Sequence, residues 1–175
     1  MKYYIYYILI IVALVSGCAS NIEPQSLPER YSVPKGTDLP DSKLHIPDKI
    51  TLEAEKEDKV HIGIKNTKNK TLCFYLQPTC KVVLGGLDCD TKTMTENSDY
   101  YWEWFHLPES VYLKPFEEIA IAGIMTPKGS QDTYLGTLKA WMGEPAEKSC
   151  PSIQYYNEKK DLSLYAEEDF QITLE

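Results

Sequence analysis

The stretch from Val60 to Leu76, VHIGIKNTKNKTLCFYL, decides the fold class because apolar residues occupy every second position on both sides of a polar turn. The apolar positions are Val60, Ile62 and Ile64 before the turn and Leu72, Phe74 and Leu76 after it. Alternation with a period of two is typical of a β-strand that buries one face. The stretch therefore predicts two consecutive strands joined by a short connection at residues 66–70.

Similar patterns occur on both sides of this stretch. They predict further strands within residues 50–54, 81–84, 100–107, 118–125, 134–141, 154–156 and 170–174. No segment has a long period of 3.6 residues, although 166–169 is compatible with one helical turn. About eight strands in about 130 residues predict an all-β, antiparallel β-sandwich. An immunoglobulin-like arrangement is preferred, with a small barrel as the alternative.

The composition is that of one globular domain with room for a tail. The chain has 175 residues, of which 43% are hydrophobic and 25% are charged. Its formal net charge is -8, and no cluster of Lys and Arg is present, which excludes nucleic-acid binding by phosphate neutralisation. An acidic surface favours a basic partner, or serves solubility alone.

The N-terminus has the organisation of a signal peptide. Lys2 is followed by an apolar run over residues 3–15, which is shorter than the about 20 residues of a membrane-spanning helix. The run ends in Val15-Ser16-Gly17-Cys18, which resembles the lipobox of bacterial lipoproteins. The resemblance implies cleavage before Cys18, acylation of its thiol and its new N-terminus, and anchoring in a lipid bilayer. Because Ala19 stands where an Asp retains enteric lipoproteins at the inner membrane, it further implies the periplasmic side of the outer membrane, with the cell surface as an alternative.

Residues 18–48 are predicted to form a flexible tether between the lipidated Cys18 and the folded domain. Five of the eleven prolines lie in this range, and Ser, Asp, Glu and Lys fill most of the rest. Such a composition is typical of an extended linker without a core of its own. The sequence therefore predicts a signal peptide at 1–17, a tether at 18–48 and a β-sandwich at 49–175.

Four cysteines remain in the folded domain once Cys18 carries lipid. An even number in an oxidising compartment predicts two disulfides, and the sequence alone allows three pairings. We prefer Cys80 with Cys89, which closes a short glycine turn, and Cys73 with Cys150, which ties an early strand to a late segment. Free thiols are an alternative, and a metal site is disfavoured because the chain has no C-x-x-C pair.

The segment from Tyr100 to His106, YYWEWFH, is the most aromatic in the chain. A strand here would place Tyr100, Trp102, Trp104 and His106 on one face. Partly exposed Trp and Tyr side chains often form recognition surfaces, so we predict that these four residues form a binding surface, with a place in the core as the alternative. Sugar stacking would use the same side chains, so the segment does not distinguish a protein partner from a glycan.

The chain lacks the motifs of the common hydrolases and nucleotide-binding enzymes. It contains no G-x-S-x-G, no H-E-x-x-H and no P-loop, and its three histidines show no diagnostic spacing. The acidic residues Asp88, Asp90 and Asp99 lack the spacing of an EF-hand and are interpreted as part of a surface loop. We therefore expect a protein that is not an enzyme and that uses no metal or other cofactor.

The order of segments resembles that of several groups of bacterial envelope lipoproteins: a lipobox, a tether and a disulfide-bonded β-domain. One group comprises immunity lipoproteins that neutralise toxins delivered by type VI secretion, and another comprises accessory lipoproteins of secretion or pilus machines. The resemblance implies a membrane-anchored protein-binding module, most concretely a toxin-neutralising immunity protein with a basic protein partner. An accessory of a secretion or pilus assembly and a glycan-binding envelope protein are the alternatives.

Overall fold

The computed structural model describes residues 27–34, 36–80, 82–83, 86–87, 93–94, 100–101, 104–127, 133–146, 149–153 and 161–175. Within these ranges nearly all regular structure is β, and two sheets pack face to face around one main hydrophobic core. The predicted β-sandwich is thereby confirmed. No helix in this part of the chain has the length and hydropathy of a membrane span.

The first sheet has four antiparallel strands. In spatial order they are β1 (Leu44–His45), β3 (Asp58–Lys65), β11 (Glu118–Met125) and β9 (Phe105–His106). The β3 and β11 strands pair along their whole length, with Ile62 opposite Ile121. The predicted strands around 60–64 and over 118–125 form the centre of this sheet.

The second sheet is larger and contains one parallel pair. In spatial order it consists of β2 (Lys49–Leu52), β13 (Ser163–Leu174), β12 (Thr133–Gly143), β4 (Leu72–Cys80), β8 (Tyr100–Tyr101) and β7 (Thr93–Met94), and β10 (Val111–Leu113) also pairs with β4. Only β2 runs parallel to its neighbour, β13, among the strand pairs described. The strands β5 (Val82–Val83) and β6 (Gly86–Leu87) pair antiparallel in a separate two-stranded sheet.

The strand order gives the sandwich an immunoglobulin-like topology. The first sheet, β1-β3-β11-β9, follows the A-B-E-D order of an immunoglobulin domain, and β13-β12-β4 follows G-F-C. The successive strands β3 and β4 lie in different sheets, as do β11 and β12. The connections therefore cross between the layers at the ends of the sandwich.

The core consists of the inward-facing alternate residues of both sheets. Those exposed by 2% or less include Ile62, Ile64, Leu72, Phe74, Ile121, Leu138 and Ile172. Aromatic rings pack edge to face, with 6.1 Å between the ring centroids of Phe105 and Phe170. Burying one aliphatic side chain contributes roughly 1.5–3 kcal/mol, so the alternation seen in the sequence supplies the main driving force for folding.

Residues 27–48, which we call the N-terminal strap, pack against the first sheet. Tyr31 is buried at the end of a 3-10 turn (Glu29–Tyr31), and Ser32 forms a β-bridge with Ile121. Further along, Leu44 and Ile46 are buried in the core. This corrects the predicted domain boundary at residue 49 and the prediction that the whole of 18–48 is a tether, because its few apolar residues are spaced to reach the sandwich.

The strap runs from the β11 side of the first sheet to its β3 edge. After the bridge at Ser32, Leu39 lies over β3 at Gly63, and Leu44 then pairs with Ile64. A Cβ atom on Gly63 would stand 3.1 Å from the Leu39 side chain, so the glycine leaves room for the strap. A proline-rich composition reveals an extended path, but it does not reveal that the path follows a sheet.

A charged pair also holds the strap. The Lys65 ammonium donates a hydrogen bond to the Asp41 carboxylate, and this bond and the positive charge lower the pKa of Asp41 below its usual value. The same contact raises the pKa of Lys65. Both groups are in contact with solvent, so the pair positions the strap more than it stabilises it.

The aromatic segment is divided between the two sheets. Tyr101 in β8 pairs with Thr79 of β4, whereas His106 in β9 pairs with Ile124 of β11. A chain that passes from one layer to the other does not keep a single two-residue alternation. The prediction that Tyr100 and His106 share a face of one strand is therefore corrected.

Two further differences concern the last third of the chain. Residues 166–169 lie within β13 and pair with β12, so the single helical turn expected there is wrong. The short strand β10 was not predicted, because three residues are too few to show a period. The strand predicted at 154–156 lies outside the described residues.

Candidate binding surface at the loop end

Three connections meet at one end of the sandwich. They are the β3–β4 turn at 66–71, the β10–β11 turn at 114–117, and the described parts of the β12–β13 connection at 144–146, 149–153 and 161–162. We call this the loop end. In an immunoglobulin-like sandwich the connections are clustered at the two ends, where they are free to vary without disturbing the core.

Asn66 fastens two of these turns together. Its side chain is fully buried, and its amide nitrogen lies 2.8 Å from the Lys70 carbonyl oxygen and 2.9 Å from that of Lys114. The backbone N–H of Asn66 also donates to the Glu117 carbonyl at 2.8 Å. One buried polar residue thus fixes the relative position of the β3–β4 and β10–β11 turns.

Tyr165 of β13 holds the β3–β4 turn from the other side. Its hydroxyl donates to the Lys65 carbonyl at 2.6 Å and accepts a hydrogen bond from the Thr67 backbone N–H at 3.0 Å. The ring itself is 9% exposed and packs edge-on against Phe74. The turn is therefore held by side chains from the core and not by its own residues alone.

Phe116 stands at the tip of the β10–β11 turn in an unusual backbone conformation. Its φ angle is +60°, and the turn is closed by a hydrogen bond from the Glu117 N–H to the Lys114 carbonyl. A positive φ after proline is the geometry of a type II turn, which normally places Gly or Asn there. Phe116 nevertheless keeps a bulky side chain at this position, and that side chain is 65% exposed.

A second exposed apolar side chain lies at the same end. Leu164, at the start of β13, is 45% exposed and lies opposite Trp141 in the strand register. Phe116 and Leu164 are the large hydrophobic residues that the described part of the chain leaves exposed. Phe116 follows β10 and Leu164 lies on β13, and β4 and β12 separate these two strands, so they are two separate exposed positions at one end, and this end is the candidate interface.

A disulfide fastens the third connection. Cys73 of β4 is bonded to Cys150, with 5.5 Å between their Cα atoms, as predicted for this pair. Next to it, the Tyr75 hydroxyl donates to the Pro151 carbonyl at 2.5 Å. The two residues Cys73 and Tyr75 form a small second cluster on the outer face of the sheet, covered by residues around Cys150.

A groove of about 770 Å³ opens between these connections. Its apolar lining includes Leu72, Met142 and Pro145, and its polar lining includes Lys68 and Asp161. Polar and apolar groups line the groove in similar measure, so it offers both kinds of contact to a side chain or a short segment of a partner.

One ion pair crosses the rim of the groove. The Lys70 ammonium donates to the Glu144 carboxylate at 2.5 Å. This hydrogen bond, together with the charge of Lys70, lowers the pKa of Glu144 below its usual range. Glu144 therefore stays ionised at neutral pH, and the pair is lost only as the pH falls through the lowered pKa.

The residues predicted as a binding surface do not lie together. Trp104 is 3% exposed and packs edge-on against Tyr134 in the core, which confirms the alternative interpretation for this residue. His106 is exposed, but it lies in the first sheet near the end opposite to the loop end. Tyr100 is described only through its backbone pairing with Met94, and Trp102 lies outside the described residues.

The other predicted sites fall mainly outside the described part of the chain. Cys18 and Cys89 lie there, and Cys80 is described only through its backbone, in β4. The lipidation and the second disulfide stay predictions. Within the described ranges, no three His, Cys, Asp or Glu side chains are grouped as metal ligands.

Sequence reasoning missed Phe116 and Asn66. The pair Pro115-Phe116 is a turn signal, because proline favours the second position of a β-turn. The sequence does not show, however, that the residue after the proline takes a positive φ, nor that Asn66 reaches across to this turn. The second fact depends on a contact between segments about 50 residues apart.

The similarity of this chain to known proteins is found in the folded structure. No protein-family model matches the sequence, and no curated protein matches it. The chain is similar to the solved structure of WR4, an MSP family member of C. elegans, at a TM-score of 0.43 and 9% identity, over 77% of this chain and 99% of that one. It is also similar to the E. coli chaperone DraB (TM-score 0.43, 10% identity) and to Salmonella enterica SafA pilin in complex with the SafB chaperone (TM-score 0.42, 9% identity). In each of these two, 75% of this chain is covered and 53% of the other, so the match spans about half of their length.

Proposed function

We propose that this protein is a lipid-anchored envelope protein that binds another protein through its loop end. The observation that carries the proposal is the exposed Phe116 side chain on a turn with a positive φ. This backbone conformation is about 1–2 kcal/mol less stable than the right-handed one for a residue with a Cβ atom. Strained residues of this kind cluster at ligand-contacting sites, and an exposed aromatic ring gains its burial only when a partner covers it.

The fixed geometry of the surrounding turns supports the proposal. Asn66 and Tyr165 hold the β3–β4 turn, and the bond between Cys73 and Cys150 holds the β12–β13 connection. A surface that is ordered before binding loses less conformational entropy when it binds. The loop end therefore has the preorganisation expected of an interface, and its groove offers space for a side chain of the partner.

Within this class we propose a toxin-neutralising immunity protein. Loss of Lys2 with the signal peptide would change the net charge from -8 to about -9, which speeds encounter with a basic partner. The rate of association should fall with salt, because the Debye length shortens from about 30 Å at 0.01 M to about 8 Å at 0.15 M. A toxin gene beside this gene would support the proposal, whereas a secretion or pilus operon would support the accessory role.

The loop end can be tested with the full-length lipidated protein, solubilised in detergent and used as bait in envelope extracts. We compare the unaltered protein, a Phe116→Ser/Leu164→Ser variant, and a Glu57→Ser control at the opposite end. The unaltered protein and the control should retain the same protein, and the double variant should lose it by at least about tenfold, since hot-spot side chains contribute about 2 kcal/mol or more. Circular dichroism melts check that all three are folded.

Retention of the same protein at equal strength by the folded double variant would contradict the proposal. Turnover of peptidoglycan, lipid or protein by the purified protein would contradict the broader assignment to binding proteins. Retention of polysaccharide in place of protein would instead favour the glycan-binding alternative.

A further inference from the structure

One edge of the second sheet is only partly covered. On one side β13 pairs with β12 along nearly its whole length, but on the other side β2 pairs only with residues 171–174. Among the described residues, no strand pairs with residues 163–168 on that second side. Six residues of strand extend roughly 20 Å, which is an ordinary strand length, so the edge has room for one more strand.

The backbone of Glu167 points toward this open side. The N–H of Gln171 donates to the Asp48 carbonyl at 2.8 Å, so residue 171 directs its backbone groups toward β2. Every second residue of a strand directs its backbone groups the same way, and the pairing of β13 with β12 is regular from residue 166 to residue 173. Glu167 therefore directs its N–H and C=O away from β12, and none of the residues described in the structure pairs with them.

An apolar and an acidic side chain stand side by side along this edge. Leu164 lies opposite Trp141 of β12, and Glu167 lies opposite Lys139, two residues away on the same strand. A bulge in β13 at Tyr165 adds one residue between them, so Leu164 and Glu167 lie on the same face of the sheet. Both are exposed, and an added strand would place its own residues directly beside them.

The charge along the edge is acidic. Glu167, Glu168 and Asp169 follow one another, and all three are exposed. Two lysines lie near them, since Lys139 faces Glu167 from β12 and the Lys43 ammonium stands 5.6 Å from the centroid of the Tyr165 ring. The carboxylates outnumber these two lysines, so a basic segment is the better match for the edge.

The acidic residues also determine which strand cannot pair here. Like charges placed opposite each other on two strands destabilise the pair, and charged edge residues are a common means of preventing self-association. Pairing between the β13 edges of two copies would bring their acidic residues together. A partner strand with lysine or arginine meets carboxylates instead.

The open edge begins at the groove of the loop end. Asp161 and Ser163, at the start of β13, line that groove, and Leu164 follows them directly. A segment that runs along the edge therefore reaches the groove at Ser163. The edge and the groove form one continuous surface.

We propose that residues 163–168 of β13 bind an extended segment of a partner protein as an added β-strand. The segment carries an apolar residue beside Leu164 and, two positions away, a lysine or arginine beside Glu167. Main-chain hydrogen bonds supply the affinity, and these two side-chain contacts supply the specificity. The inference names the element that the partner uses, and it rests on the proposed function only in that Leu164 belongs to both surfaces.

The edge is tested by the fluorescence anisotropy of a labelled peptide, KITKTIK, added to the full-length lipidated protein in detergent. The peptide reads the same in both directions, so strand polarity does not decide the result. It should bind at least about tenfold more tightly than EITETIE, which carries the opposite charge. Equal binding of the two peptides, or no binding of KITKTIK up to about 1 mM, overturns the inference.

Strand pairing is distinguished from charge attraction by two methylated forms of KITKTIK. One is N-methylated at its even positions and the other at its odd positions, and both keep every side chain. Only one form should lose binding, because every second N–H of an added strand faces its neighbour. Equal affinities of the two forms overturn the pairing of backbones.

Two variants of the protein make the same distinction. Glu167→Pro removes the N–H on the open side and leaves the pairing with β12, since proline is accepted on edge strands, and KITKTIK should bind it at least about tenfold more weakly. Glu167→Ala keeps the N–H and should lose only about two- to fivefold, as expected for a partly screened charge. Circular dichroism melts check folding. Equal losses in the two folded variants count against the inference, and the methylated peptides decide it if the proline variant does not fold.

The peptide measurement and the pull-down from envelope extracts can fail separately. If KITKTIK does not bind and the Phe116→Ser/Leu164→Ser variant loses the retained protein, the added strand is wrong and the proposed function stands. If KITKTIK binds with the expected dependence on methylation and the double variant retains the protein at full strength, the loop-end interface is wrong and the added strand stands.

Discussion

Phe116 combines a backbone conformation that suits glycine or asparagine with a side chain that suits a protein core. Phenylalanine disfavours the observed φ of +60°, and its apolar side chain is 65% exposed to solvent in the isolated protein. Asparagine tolerates this region of φ,ψ space far better than phenylalanine does. The position therefore offers a way to separate stability from binding.

Replacing Phe116 with Asn should stabilise the protein and weaken partner binding at the same time. We expect the free energy of unfolding to rise by about 0.5–1 kcal/mol, since the strain is relieved and little buried surface is lost. Urea denaturation measures the gain in the free energy of unfolding, and the slope of that free energy against urea concentration should not change. Alanine lacks the polar side chain with which asparagine bonds locally at a positive φ, so the Phe116→Ala variant should gain nothing. Equal stability of the two variants would speak against strain at this residue.

Asn66 is the other residue with a disproportionate effect, because it is buried and bonds to two turns. Replacing it with Ala should lower the free energy of unfolding by about 2–3 kcal/mol, since carbonyls of both turns lose their donor. The matched control is Asn69→Ala in the same turn, where the side chain is exposed and the change should stay within about 0.5 kcal/mol. Similar losses in both variants, measured by urea denaturation, would show that Asn66 acts only through local turn preference.

Among the elements, the N-terminal strap has the largest predicted effect on stability. A chain that begins at Asp48 lacks the buried side chains of Tyr31, Leu44 and Ile46. Each loss of a large buried side chain costs about 2–5 kcal/mol, which together approaches the whole stability of a typical domain. We expect the chain starting at Asp48 to lose its cooperative thermal transition, and the chain starting at Leu27 to keep it. A melting temperature for the shorter chain within a few degrees of the longer one would contradict a structural role for the strap.

The Cys73–Cys150 disulfide is the second feature that stabilises whole elements, because it joins β4 to the β12–β13 connection. It closes a separation of 77 residues, so its loss in a Cys73→Ala/Cys150→Ala variant should lower the free energy of unfolding by about 4–5 kcal/mol in the chain-entropy model. A Cys80→Ala/Cys89→Ala variant removes the other predicted pair, which would close only a short loop and contribute about 2–3 kcal/mol. Peptide mapping without reduction identifies the bonds, and denaturation measures both losses. Equal losses would argue against loop length as the cause.

At the scale of the whole molecule, the predicted anchor and the fold would together determine where the protein acts. The lipobox would fix the chain to a bilayer through at least two acyl chains, which is enough for stable attachment. A single cysteine, Cys18, which lies outside the described residues, would thus set where the protein operates.

Replacing Cys18 with Ser should abolish lipid labelling and leave the precursor uncleaved at this site, because the thioether requires a thiol. Labelling with a clickable fatty acid and the mass of the N-terminal peptide provide the measurement. The folded domain should keep its melting temperature, since residues 27–175 contain the described core. Normal acylation of the Ser variant would contradict the lipoprotein assignment.

Local patterns in the sequence are sufficient for the main strands and therefore for the fold class. The alternation of Val60, Ile62 and Ile64 and of Leu72, Phe74 and Leu76 appears in the structure as β3 and β4, because a strand that buries one face imposes a period of two on its own residues. The pairing of Cys73 with Cys150 was among the three arrangements that the sequence allowed. The strands follow from neighbouring residues, and the possible disulfides follow from the number of cysteines.

Contacts between distant segments decided the remainder. Whether residues 27–48 form a tether or a strap depends on the first sheet, which exists only after residues 58–65 and 118–125 have paired. The aromatic segment was misjudged at Trp104 because the chain changes layers there, and no local pattern records the change. Asn66 gains its importance from a hydrogen bond across 48 positions of sequence. The sequence by itself determined that the chain makes half-buried strands, because burial of alternate side chains is a local property. Only the tertiary structure decided which end of the sandwich carries the exposed apolar residues, because that depends on where separate connections meet in space.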